Sequence, residues 1–149
     1  MNTCLYIGIY EGRETYIKNG IFTELHSRMK NYSSGGNLMT IHRLCVCIPG
    51  LDYKIESLEE SGKNHFLPYR MKFNGMDSTE YLQYKTSPKG LPLLTLESVI
   101  EWYYQQTKNV KGLFWVKEKF LPITSEDDNL KILMDKIRNN PREYLDINP

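Results

Sequence analysis

The chain opens on a two-residue alternation. Leu5, Ile7 and Ile9 take every second position, with Tyr6, Gly8 and Tyr10 between them; Glu11-Gly12-Arg13-Glu14 supplies a turn glycine, and Ile17 alternates with Tyr16 and Lys18. A period of two sends successive side chains to opposite faces of a strand, so residues 3–21 read as a β-hairpin. With the turn centred on Gly12, Tyr10 pairs with Glu14, Gly8 with Tyr16 and Tyr6 with Lys18. One face of the hairpin is then aliphatic, and the other gathers Tyr6, Tyr10, Tyr16 and Lys18.

The period then lengthens. Thr23 to Tyr32 is a predicted helix, N-capped by Thr23, with Leu25, Met29 and Tyr32 on one stripe and Arg28 at its edge. A Ser-Ser-Gly-Gly-Asn loop, Ser33 to Asn37, leads to a third strand over His42 to Ile48, where Leu44, Val46 and Ile48 oppose Arg43, Cys45 and Cys47. From Asp52 to about Ser61 a helix carries Ile55 and Leu58 inward and Glu56, Glu59 and Glu60 on its flanks, and Gly62 is its expected stop. Ser78 to Leu82 reads as a short strand. The Ser/Pro/Gly/Lys stretch from Thr86 to Pro92 reads as a boundary. Beyond it, Thr95 caps an aromatic helix reaching Thr107, Lys111 to Ile123 alternates weakly, and Ser125 to Asn139 is an amphipathic helix with the stripe Leu130, Leu133, Met134 and Ile137.

These elements predict an α/β (α+β) protein: a small, mainly antiparallel three-stranded sheet flanked by helices over residues 1–90, and a helical C-terminal extension over 91–149 packed on it. A length of 149 residues suits that size. Hydrophobic residues at 40% and charged residues at 25% supply a core and give no compositional case for disorder. Nineteen Lys and Arg face eighteen Asp and Glu, so the net charge of +1 excludes a protein that wraps polyanions with its whole surface. A nucleic-acid site must be a local patch, and residues 1–50, with five Lys or Arg against three Glu, lean that way. The apolar run Leu5 to Tyr10 is far shorter than the roughly 20 residues of a membrane helix, and no basic segment precedes it; a soluble, intracellular protein is expected. Three cysteines, Cys4, Cys45 and Cys47, form an odd set with poor disulfide spacing, which suits a reducing compartment. They are either small buried strand residues or, with His42, zinc ligands, although their spacing matches no zinc ribbon or finger.

In order and spacing the segment from Cys4 to Leu82 resembles the GIY-YIG nuclease superfamily, in the branch of phages and large DNA viruses whose second motif reads K-I-G. Gly20, Leu25 and Arg28 match its G-x-x-x-x-L-x-x-R helix start, Lys18 takes the place of the second-motif tyrosine, and Tyr6 that of the first. Tyr32-Ser33-Ser34-Gly35 resembles the loop that follows, Ile55-Glu56 the I-E pair on the next helix, and Ser78-Thr79-Glu80-Tyr81-Leu82 the late E-W-F element. The letters Gly8-Ile9-Tyr10 and Tyr16-Ile17-Lys18 imitate the two motifs at the wrong separation. Cys4-Leu5-Tyr6 lacks the first-motif glycine, and Asn19 stands where an aliphatic residue is usual.

What the resemblance implies is a divalent-metal-dependent DNA endonuclease, with Mg²⁺ or Mn²⁺ at Glu56, Tyr6 as the base with its pKa lowered by Lys18, and Arg28 on the phosphate. His26, beside Arg28, is either a phosphate contact or base, or an exposed helix residue. The alternative is a catalytically weak or inactive module of the same build that binds nucleic acid or a protein partner. A third reading is a purely structural interaction protein. The aromatic residues Trp102, Tyr103 and Tyr104 serve base stacking, a protein partner or homodimer contact, or simply the core.

Overall fold

The computed structural model describes residues 3–11, 15–22, 38–73, 76–83, 92–124 and 129–147. The predicted helix from Thr23 to Tyr32 with His26 and Arg28, the loop from Ser33 to Asn37, the turn at Gly12 and the cap residues Ser125 to Asp128 lie outside them.

Strands β1 (Cys4–Glu11), β2 (Thr15–Phe22) and β3 (Leu38–Cys47) form an antiparallel core with β1 in the middle. The predicted three-stranded sheet is therefore present, and it is wider than expected. On the β2 side it continues into β5 (Met76–Gln83) and β4 (Arg70–Phe73). On the β3 side it continues into β6 (Leu113–Val116) and β8 (Leu145–Asp146), and β7 (Ile123–Thr124) also pairs with β3. The segment after residue 91 thus adds strands to the same sheet as well as helices, and the weak alternation of 111–123 is its sequence trace.

Among the described residues, three longer helices flank the sheet: α1 (Asp52–His65), α2 (Leu96–Thr107) and α3 (Asn129–Asn139), followed by the single turn α4 (Pro141–Tyr144). Helix α2 starts as its sequence dictates, with a reciprocal cap in which Thr95 Oγ1 accepts from the Ser98 amide and Ser98 Oγ from the Thr95 amide, both at 3.1 Å. Helix α1 runs past Gly62, its expected stop. Gly62 is buried because Tyr103 of α2 lies against it: a Cβ at this position would come within 2.1 Å of the tyrosine Oη. The glycine is there for close approach between helices.

Each face of the sheet is covered. Leu5, Ile7, Ile9, Ile17 and Cys45 pack with Ile55 and Leu58 of α1 and with Val99, Ile100 and Tyr103 of α2. Cys4, Tyr6, Met39, Ile41, Leu44 and Val46 pack instead with Leu130, Leu133 and Ile137 of α3. This explains why β1 is buried from Cys4 to Ile9 in spite of its alternation: aliphatic positions face one helical layer and the tyrosine and cysteine positions the other. The aromatic residues of α2 belong mostly to the first layer, where Trp102 meets Tyr103 and Phe66 edge-on and stacks on His65 at 4.5 Å. Among the described residues no helix is long and apolar enough to cross a membrane.

Candidate functional site

The expected site begins with the hairpin register, which is two residues away from the one read in the sequence. Glu11 pairs with Thr15, Tyr10 with Tyr16, Gly8 with Lys18 and Tyr6 with Gly20. Residues 12–14 separate the first pair, so the closing turn is longer than a turn centred on Gly12 alone, and every later pair slides accordingly. Lys18 stands opposite Gly8, two pairs along from Tyr6; its side chain is outside the described residues.

Tyr6 has no exposed surface. Its ring lies over Gly20, where a Cβ would approach Tyr6 Oη to 2.9 Å, and it packs with Met39, Leu44 and the α3 stripe. Glu56 is exposed on α1, whose inward residues Ile55 and Leu58 press on Leu5 and Ile7. Tyr6 and Glu56 consequently lie on opposite sides of the sheet, which separates the base from the metal carboxylate that the resemblance implies, contrary to a shared site. The physical cause is the pair of periodicities: alternation along β1 sends Tyr6 toward α3, while the Ile55/Leu58 stripe sends α1 to the other face. One carboxylate completed by waters and phosphate is an adequate Mg²⁺ site in general. An ion held by Glu56, however, would have the sheet between it and Tyr6, so these residues do not fit a metal shared with that tyrosine. Among the described residues no group of three or more His, Cys, Asp or Glu is placed to hold a metal ion.

The cysteines share the same division. Cys4 faces the α3 layer and Cys45 and Cys47 the α1/α2 layer, which separates these alternative zinc ligands by the thickness of the strand and leaves them as small buried strand residues. Cys47 Sγ lies 3.4 Å from Asp52 Oδ1 and 3.6 Å from the Thr3 carbonyl, acceptors for its S–H. Burial pushes the Cys4 thiol up to about 12 and, with the Asp52 hydrogen bond, the Cys47 thiol up to about 11; burial raises Cys45 as well. Thiolate is the reactive form, so the native protein at pH 8 is expected to resist a disulfide reagent such as dithiobisnitrobenzoate and to release three equivalents of thiol only in denaturant. Rapid labelling of all three in the folded protein would contradict the burial described.

A different cluster is assembled where β3 is irregular. The β1–β3 register jumps from Ile7 opposite Arg43 to Gly8 opposite Ile41, leaving His42 as the extra residue of a β-bulge. Because of it Met39 and Ile41 face the same layer as Leu44 and Val46, and Arg43 turns to α2. Arg43 Nε donates to Tyr104 Oη at 2.8 Å, Nη1 to the His42 carbonyl at 2.6 Å, and Nη2 meets the Glu118 carboxylate at 3.2 Å. Burial holds the His42 imidazole below its usual pKa, helped by Arg43 and opposed by Glu97, and burial raises the Tyr104 phenol against the pull of Arg43.

Tyr104 meets Trp115 edge to face at 4.9 Å, and the indole Nε1 donates to Thr107 Oγ1 at 2.8 Å. These side chains line a cleft of about 990 Å³ together with Lys108, Lys117, Arg142 and Asp146. Its far wall is set by pairing of Trp115 with Asp146 and by the Lys117 amide donating to the Tyr144 carbonyl at 2.8 Å. The sequence signals for this cleft were separate and weak: the aromatic helix, the lysines near Trp115, and a C-terminal tail whose two-residue strand has too little text to be read. Comparison with family models, with curated proteins and with solved structures finds no match to this chain.

Proposed function

We propose that the chain is a nucleic-acid-binding module of GIY-YIG-like build that does not cut through Tyr6 and Glu56. The observation that carries this reading is the burial of Tyr6 on the sheet face opposite Glu56. A general base must come within about 3 Å of the water it activates, and a phosphate cannot reach Tyr6 beneath α3 while sharing an ion with Glu56. Binding is supported by a local excess of positive charge: between Tyr104 and Phe120 the chain carries Lys108, Lys111, Lys117 and Lys119 against Glu118 alone, and Glu118 is paired with Arg43. Such a strip suits a phosphate backbone in a protein whose overall charge is near zero.

The test is fluorescence anisotropy on labelled DNA over a range of salt, beside plasmid nicking in Mg²⁺ or Mn²⁺. Wild-type protein and Glu56→Ala are expected to bind alike and to leave the plasmid intact. The double variant Lys111→Glu, Lys119→Glu, at two exposed positions, is expected to weaken binding and to lower the salt slope by about 0.9 for each phosphate no longer neutralised. Metal-dependent nicking that disappears in Glu56→Ala would restore the endonuclease reading. Protein that binds neither DNA nor RNA would remove both and leave the interaction protein.

A further inference from the structure

The Tyr104/Trp115 cleft has contents that a general electrostatic strip does not need. Its floor is aromatic, with Trp115 half-buried and held by its bond to Thr107, so the indole is fixed before anything binds. Lys108, Lys117 and Arg142 converge on it from three separate elements: the end of α2, the residue after β6, and α4. Lys117 Nζ donates to the Arg142 backbone carbonyl at 3.5 Å, which ties the lysine to α4. Asp146 and Glu118, the latter paired with Arg43 at 3.2 Å, supply exposed carboxylates at the same cleft. A planar ring system, clustered cations and acceptor carboxylates are the three features that recognise a base, its phosphate and its amino or hydroxyl groups.

Size narrows the class. A volume of about 990 Å³ is at the upper end for small-ligand pockets, ample for a nucleotide and too small to take in a duplex. An acidic peptide would use the cations but has no claim on the indole, and a purely apolar ligand would leave the cations and Asp146 to be desolvated without partners.

We infer that this cleft is a binding site for a nucleoside phosphate, with the base against Trp115 and the phosphate among Lys108, Lys117 and Arg142. The same chemistry is presented by a free nucleotide and by the terminal nucleotide of a single strand. The inference borrows from the proposed function only the preference for phosphate, and it is tested with different probes so that the two can fail separately.

The experiment uses the full chain carrying Trp102→Phe, which leaves Trp115 as the one tryptophan. Its fluorescence is titrated with ADP, with adenosine, with pyrophosphate and with a short single strand bearing a 5′-phosphate. Saturable quenching by ADP is expected, with adenosine at least tenfold weaker and pyrophosphate competing without quenching. Lys108→Glu and Arg142→Glu, both at exposed positions, should each weaken ADP about tenfold, the scale of one charge-assisted hydrogen bond, while circular dichroism stays unchanged. Quenching by the single strand as well as by ADP, or by the single strand alone, would support the site and identify the source of the nucleotide. No quenching by ADP or by the single strand at millimolar concentration, or quenching indifferent to both charge reversals, would overturn the inference even if duplex DNA binds elsewhere. ADP binding in a protein that binds no DNA would keep the site and remove the nucleic-acid module.

Discussion

Tyr6→Ala is expected to lose about 3–5 kcal/mol of folding stability, the usual cost of deleting a buried aromatic ring. A domain of this size has about 5–15 kcal/mol in total, so the variant should be largely unfolded at moderate temperature or recovered with a strongly reduced urea midpoint. The reason is local. Tyr6 sits at the centre of β1, wholly buried, with its ring covering the space that Gly20 leaves open and its edge meeting the layer closed by Leu130, Leu133 and Ile137. Tyr6→Phe keeps the ring and should stay within about 1.5 kcal/mol of wild type, the net scale of one hydrogen bond. The pair of variants separates two roles. A catalytic base would lose its activity in Tyr6→Phe with stability nearly intact, whereas a packing residue tolerates phenylalanine and fails with alanine. Equilibrium urea unfolding followed by circular dichroism decides it; a Tyr6→Ala midpoint close to wild type would show that the tyrosine layer is not closed as described.

Gly8→Ala should be comparably damaging, at about 3 kcal/mol or more, for a reason that has nothing to do with backbone flexibility. An added Cβ would come within 2.2 Å of the Thr40 carbonyl oxygen and 2.9 Å of Met39 Cε. The methionine end can move aside. The carbonyl belongs to β3 at the point where the bulge sets its register against β1, so relieving the clash means parting two central strands. Gly62→Ala offers the contrast, because its obstacle is the Tyr103 hydroxyl at 2.1 Å and alanine is otherwise the better helix residue by about 1 kcal/mol. Adding Tyr103→Phe, which removes the hydroxyl but leaves ring carbon Cζ at 2.9 Å, should recover part of that variant's loss, while no single side-chain change should rescue Gly8→Ala. Thermal unfolding of the four proteins, with Gly8→Ala within about 1 kcal/mol of wild type as the refuting result, completes the comparison.

Much of this architecture is legible in the amino-acid order, and the unread part has physical causes. The alternation around Leu5 and Ile7, the Ile55/Leu58 stripe, the Thr95 cap and the Leu130/Leu133/Ile137 stripe are local signals, and each element they predict is present where the structure describes it. What covers a face is not local. Tyr6, Tyr10, Tyr16 and Lys18 read as a wet, chemically active surface because tyrosine carries a polar tip; α3, from the other end of the chain, lies over the Tyr6 position instead. Strand β3 hides its bulge because a strict two-residue count through His42 is also good strand text, and only the pairing with β1 reveals the skipped residue. Gly62 looked like a stop signal because glycine serves both to end helices and to admit a neighbour, and its sequence context does not distinguish the two. The cleft beside Trp115 is made by residues from 104 to 147 joined through a strand of two residues, below the length at which periodicity carries information.

The layer beneath α3 also bears on how the chain is made. Strand β1 leaves a ribosome well before the helix that shelters its Tyr6 face. Until Leu130, Leu133 and Ile137 have been synthesised, a central sheet of Cys4, Tyr6, Met39, Ile41, Leu44 and Val46 has one dry face and one that is still open to water or to other chains. Pairings so distant in sequence are late and slow to form. A nascent chain stalled before residue 129 should therefore be sticky and in need of a chaperone.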